Sequence, residues 1–345
     1  MPTTSADPLE FLEDGTDPRT VAWTGEQNAR TRAALDAVPG RDALRARLSV
    51  LLGGGTIGCP ESAGGRAFYV ARRPGRQQAA LFVREGDADR MLFDPLTLDP
   101  SGLTAIDWFY PSPNGALVVF GLSTNGDERS TLYLLDVMRG QTFGETIPDT
   151  RHCAVAWLPD EHAFYYTRFP SGSDYDQRIY LHTLGTPYSN DLLVFGEGRE
   201  KEEYMAPRLS SNGRWLLVSV FRGWISNDVY LADLHGVDSY FVTVIESPDA
   251  LYDAVAGDDR LFVRTNEGAP NFRVFEADPL EPRRSSWNEL VAERRDAKIE
   301  AFALARGVLV FEYLRNVLSE IWWRPFDGEL RRFEHPSLGP GVAAL

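Results

Sequence analysis

"IDWFYPSPNGALVVFGLS", Ile106–Ser123, sets an aromatic pair ahead of a Pro-x-Pro-Asn-Gly turn and follows the turn with an unbroken apolar run. The chain writes this phrase again. "VAWLPDEHAFYYTRFP" (Val155–Pro170) and "LSSNGRWLLVSVFR" (Leu209–Arg222) share its order of inner strand, turn and apolar strand. Aligned on the turn, Gly65, Gly115, His162, Gly213, Asp259 and Gly307 mark six occurrences, spaced by about 46–51 residues, which is a propeller-like period. An apolar strand follows each turn, as in "AFYVARR", "WLLVSVF" and "VLVFEYL". A more alternating strand comes next, as in "STLYLLDV", "RIYLHTL" and "DVYLADL", and a weaker outer strand such as "DLLVFGE" or "YFVTVIE" closes most units. Four strands per repeat make a small sheet with two apolar faces. Neither face is stable in water, so successive sheets must stack. The expected fold is all-β, a β-propeller with about six blades present. Trp108, Phe109 and Trp157 are expected to pack between blades.

Residues 1–57 read differently from residues 58–345. Asp17 followed by Pro18 is an N-cap with proline at the first helical position, and "EQNARTRAALDAV" carries apolar residues at helical spacing. Pro39-Gly40 stops that helix. "RDALRARLSVLL" forms a second, with Leu44, Leu48, Leu51 and Leu52 on one stripe, and "GGGTIG" ends it. A short N-terminal helical segment followed by the β-rich body is the expected domain division.

Among 345 residues, 50 acidic against 35 basic side chains leave a net charge of −15. That argues against nucleic acid, whose partners gather positive charge, and against anionic membrane surfaces. Lys201 and Lys298 are the only lysines, so nearly all the positive charge is arginine. With only Cys59 and Cys153, the chain reads as reduced and cytoplasmic. No basic start or apolar core marks a signal peptide, and no apolar run approaches a membrane span.

Several phrases point to a family. "FLEDGTDPRTVAWTGEQNARTRAALDAVP" resembles the opening helix of the prolyl oligopeptidase family of serine peptidases. "HTLGTPYSNDLLVFGE", "RTNEGAPNFRVFEAD" and "LSSNGRWLLVS" are similar to that family's L-G-T…D-x-L-V, T-N…P-N-x-R-L and L-S-x-D-G-R-Y-L-L stretches, in the same order. The resemblance implies a seven-bladed propeller capping an α/β-hydrolase domain, with the N-terminal helical segment packed on the hydrolase. It implies short peptides as substrates, cut after proline or, in a sister branch, after basic residues. The propeller would act as a size filter.

The chain holds no G-x-S-x-G nucleophile elbow, the strained turn that exposes a catalytic serine beside its oxyanion hole. The family's Ser, Asp and His therefore map to no position here. His152, His162, His182, His235 and His335 show no paired metal spacing, and neither a metal nor a cofactor is expected. The expectation is a gating portion of a serine endopeptidase, inactive alone, ending about one blade short of the hydrolase. A stand-alone module binding a peptide or protein partner is the alternative.

The resemblance also supplies cavity candidates. His152, five positions before Trp157, stands where the family carries an aromatic cavity residue. It reads either as a stacking group or as a rim residue hydrogen-bonded to backbone. Cys153 is adjacent, and reads as a small buried hydrophobe or a reactive thiol. Met205 falls near an apolar contact of the family or is packing. Trp224, in "FRGWIS", falls near a residue bordering the cavity, with Arg222 just before it.

Overall fold

The computed structural model describes residues 7–236, 240–247, 249–305, 307–334 and 341–342. By internal contacts the chain divides into two units. One comprises residues 1–56 with 73–76, and the other residues 57–72 with 77–345.

The first unit is helical. Helix α1, Pro18–Asp36, starts where the Asp17 carboxylate accepts from the Arg19 backbone N–H. Helix α2, Arg41–Leu52, follows Gly40, whose φ of +82° turns the chain between the two. Neither helix builds a dry core: Thr20 is the one buried residue of α1, and α2 has none.

The second unit contains six antiparallel sheets among the described residues. The first sheet is five-stranded, and four of its strands, Glu61–Ala63, Arg66–Arg72, Ala80–Glu85 and Ala88–Phe93, pair in chain order. Blade 2 comprises Thr104–Pro111, Leu117–Thr124, Thr131–Asp136 and Gln141–Ile147. Blade 3 comprises Val155–Trp157, Ala163–Arg168, Arg178–Thr183 and Leu192–Phe195. Blade 4 comprises Tyr204–Leu209, Trp215–Phe221, Asn227–Asp233 and Phe241–Ile245. Blade 5 comprises Tyr252–Ala256, Leu261–Thr265, Arg273–Ala277 and Asn288–Val291. Blade 6 comprises Lys298–Ala305, Val308–Arg315, Leu318–Pro325 and Arg331–Arg332.

Blades 2 to 5 bury both faces because their neighbours supply the cover. Phe68, Leu81 and Val83 of blade 1 pack with Val118, Phe120 and Leu135 of blade 2. Val119, Leu132 and Leu134 on the other face of blade 2 meet Trp157, Phe164 and Tyr166 of blade 3. The same relation repeats between blades 3 and 4, 4 and 5, and 5 and 6. Burying a large apolar side chain contributes about 1.5–3 kcal/mol, so these five interfaces are the main source of cohesion. Polar ties add direction. Trp157 Nε1 donates to the Tyr110 carbonyl at 3.3 Å, and Trp215 Nε1 to the Asp258 carbonyl at 2.9 Å. Both indoles cap the inner strand of an adjoining blade.

Trp157 and Phe109 pack between blades as the sequence implies, Phe109 only partly buried. Trp108 does so only on one side. The partner strand carries Gly121 opposite it, where an added Cβ would sit 2.3 Å from the indole. The glycine gives the ring its seat, and Trp108 also faces open space.

Candidate functional site

Each inner strand begins at one end of the array and finishes in its turn at the other. The turn end encloses about 1180 Å³ bounded by residues of blades 1, 2, 4, 5 and 6, among them Gly64, Pro113, Leu209, Asp258 and Ala305. That convergence places the sheets about a common axis. The opposite end encloses about 590 Å³ between blades 2, 3 and 4. Its wall is made by the starts of three inner strands together with Glu128, Ser130 and Phe221.

Three of the five sequence candidates line this second cavity: His152, Cys153 and Met205. His152 sits in a left-handed turn, φ +48°, just before the inner strand of blade 3. Its ring meets Tyr204 edge-on at 6.0 Å. Its Nε2 lies 3.7 Å from a Glu128 carboxylate oxygen, and that carboxylate also pairs with Arg151 at 3.2 Å. Arg151 reaches Asp174 as well, at 3.4 Å, and Asp174 is held by Arg129 at 2.9 Å. Two carboxylates and two guanidinium groups thus neutralise one another at this edge.

Cys153 is 4% exposed. Burial pushes its thiol up to about 12, and the Sγ–H donates to the Thr167 carbonyl at 3.2 Å. A thiol so placed stays protonated at neutral pH and acts as a small wall residue. Met205 packs into the core between blades 3 and 4, its backbone N–H held by Gln177 Oε1 at 2.7 Å.

The other two candidates stand apart. Arg222 pairs with buried Asp228 and approaches Glu203 at 3.4 Å. Arg199 completes this network, bonding Glu203 at 2.6 Å and Asp228 at 3.2 Å. Arg222 therefore anchors the edge of blade 4, one residue beyond the cavity wall at Phe221. Trp224 is 95% exposed, at the tip of the loop joining the second and third strands of blade 4. His335 lies outside the described residues.

Sequence reasoning missed the other wall residues, among them Asp107, Trp108, Tyr110, Tyr204 and Phe221. Tyr110 donates its hydroxyl to the Cys153 carbonyl at 3.1 Å, and burial raises its pKa well above the usual tyrosine range. The available signal was Asp107, one charged residue between apolar and aromatic ones in "AIDWFYP". Among the described residues, no group of three or more His, Cys, Asp or Glu side chains could hold a metal ion. Nor is any helix there long and apolar enough to cross a membrane.

With the blades and this end cavity in place, comparison with known proteins is informative. The family model "Prolyl oligopeptidase, N-terminal beta-propeller domain" matches residues 1–344. The chain belongs to the prolyl oligopeptidase family. The prolyl endopeptidase of Elizabethkingia miricola is 25% identical over 339 residues, covering 95% of this chain and 47% of that protein. Prolyl oligopeptidase A of Galerina marginata is 26% identical, covering 92% and 48%. A structure from a study of two prolyl endopeptidases and their inter-domain dynamics superposes with a TM-score of 0.87 at 32% identity, over 99% of this chain and 51% of that one. Prolyl oligopeptidase B of Galerina marginata, bound to a 35-residue hydrolysis and macrocyclization substrate, shares the fold with a TM-score of 0.84 at 21% identity. The chain spans about half the length of the relatives it matches. The blades described above are a prolyl oligopeptidase propeller.

Proposed function

We propose that this chain is the propeller portion of a prolyl oligopeptidase-type serine endopeptidase acting on short peptides. An α/β-hydrolase domain supplies the nucleophile, and the propeller restricts access by size. In this reading the helices of residues 1–57 pack on that hydrolase, and the chain alone is catalytically silent. His152, Cys153 and Met205 form part of the peptide-facing wall. Trp224 and Arg222, on the adjoining loop of blade 4, meet either the peptide or the hydrolase.

One observation carries the reading. His152, Cys153 and Met205, 53 positions apart from first to last, border a single cavity in a chain whose whole length matches the family's propeller. The wall is aromatic and concave, suited to stacking on a flexible peptide.

Binding of a fluorescent proline-containing peptide, followed by anisotropy, tests this. Saturable binding is expected, weakened about threefold or more in His152→Ala, the scale of one aromatic contact. A proline-containing chromogenic peptide should show no turnover with this chain alone. Absence of any binding would remove the cavity assignment, and robust turnover would place a nucleophile within these residues.

A further inference from the structure

Asp107 is the part of the cavity wall that peptide stacking leaves unexplained. The pairing of the first two strands of blade 2 slips between Ile106 and Trp108, so Asp107 is the extra residue of a β-bulge. Bulges re-aim a side chain that strict alternation would send elsewhere. Here the bulged residue lines the 590 Å³ cavity. Two serines hold its carboxylate: Oδ1 accepts from Ser123 Oγ at 2.9 Å and Oδ2 from Ser130 Oγ at 2.6 Å. Both serines are buried, at 4% and 1% exposure.

No Lys, Arg or His nitrogen lies within ion-pair distance of Asp107 among the described residues. Glu128 differs, since Arg151 and His152 already attend it. Asp107, itself exposed, is thus the carboxylate of the wall with no basic side chain beside it, in a chain of net charge −15. The two serine hydroxyls occupy about half the acceptor sites of a carboxylate, and a neutral Asn could serve one of them without a charge. Beside Asp107 the Trp108 indole, seated on Gly121, lines the same space with Tyr110 5.9 Å away centroid to centroid. An oriented carboxylate next to an aromatic face is the arrangement that holds an ammonium or guanidinium group.

We propose that Asp107 and Trp108 form a subsite for a cationic side chain, arginine or lysine, of the bound peptide. The proposal rests on the peptide-binding reading of this cavity. It adds a charge preference that an aromatic wall alone does not give.

The test uses proline-containing octapeptides with one arginine moved along the sequence, each paired with a twin carrying citrulline. Citrulline keeps the shape and loses the charge. Binding is followed by anisotropy. At one or more positions arginine should bind about tenfold tighter than citrulline, the scale of a charge-assisted contact. Asp107→Asn should bring the pair within twofold through a loss of arginine affinity. In the unaltered chain the preference should shrink in 0.5 M salt, which gives a readout independent of the variant's folding. Arginine and citrulline within twofold at every position, or a preference that survives both Asp107→Asn and salt, would overturn the subsite and leave the peptide cavity standing. If neither twin binds at any position, the peptide-binding reading fails first and this proposal falls with it.

Discussion

His182 shows how one side chain can join two blades. Its ring is 1% exposed. Nδ1 lies 2.8 Å from Asp191 within blade 3, and Nε2 contacts Glu145 of blade 2. Tyr166 donates to the other Asp191 oxygen at 2.7 Å. Burial works against charge on the imidazole, but the two carboxylates override it and hold the pKa above the ordinary value of 6.5. The folded ring therefore keeps its proton to higher pH than the unfolded one. Its contribution is complete below about pH 6.5 and is lost as pH rises through the folded value. Thermal midpoints measured from pH 6 to 9 should fall more steeply for the unaltered chain than for His182→Gln. At pH 6 that variant should lose about 3 kcal/mol, since two carboxylates lose their cation. Parallel pH profiles would mean that the His182 contacts to Asp191 and Glu145 do not depend on the ring's charge. Cys153 offers a second check at this scale. Ellman's reagent should modify exposed Cys59 promptly in the native chain and Cys153 only after unfolding. Prompt modification of both would contradict the burial described. Neither pairing was legible in the sequence. His182 and Glu145 are 37 positions apart, and only the stacking of blades brings them together.

At the scale of elements, the turn between the first two strands carries the join. The blade 1 turn, Gly64-Gly65, lies against the blade 2 turn. Gly64 N–H donates to the Pro113 carbonyl at 3.1 Å, and Arg66 reaches the Asn114 and Gly115 carbonyls at 3.4 Å. A Cβ on Gly64 would fall 1.7 Å from the Asn114 carbonyl oxygen, whereas one on Gly65 would meet nothing within 4 Å. Both residues have positive φ, +56° and +75°. Gly65→Ala should therefore cost about 1 kcal/mol, the left-handed penalty alone. Gly64→Ala should cost that plus about 1–3 kcal/mol for the clash. Equal losses in denaturant titrations would mean the two turns do not touch. The turns themselves were readable from Gly, Asn and Asp in sequence, as were the strands after them: Trp215–Phe221 occupies the run "WLLVSVF". The bulges were not. In blades 1 to 5 the pairing of third and fourth strands slips, by one residue or, in blade 2, by two, beside an aromatic such as Phe82, Tyr180 or Tyr230. Alternation cannot show a slip that depends on the partner strand. For the same reason Asp107, on a bulge of its own, was passed over, while Met205 and His152, which line the same cavity, were named only through resemblance.

At the scale of the molecule, the repeat announced the architecture because each blade needs a neighbour on either face. The helical segment obeys a different logic. Leu44, Leu48, Leu51 and Leu52 share one stripe of α2 and are 45–70% exposed. Val21 and Trp23 of α1 are exposed at 60% and 39%. An exposed apolar stripe of this length marks an interaction surface. In the proposed enzyme the hydrolase covers it. Without that cover, the chain should bury the stripe against another copy. Light scattering should show mass rising with concentration. Leu44→Glu combined with Leu48→Glu and Leu51→Glu should return the chain to monomer. None of these residues is buried, so the thermal midpoint should stay within about 1 °C, as for surface substitutions within about 0.5 kcal/mol. A concentration-independent monomer before substitution would show that the stripe is tolerated in water. The helical segment would then need some reason other than a missing partner for its exposed leucines.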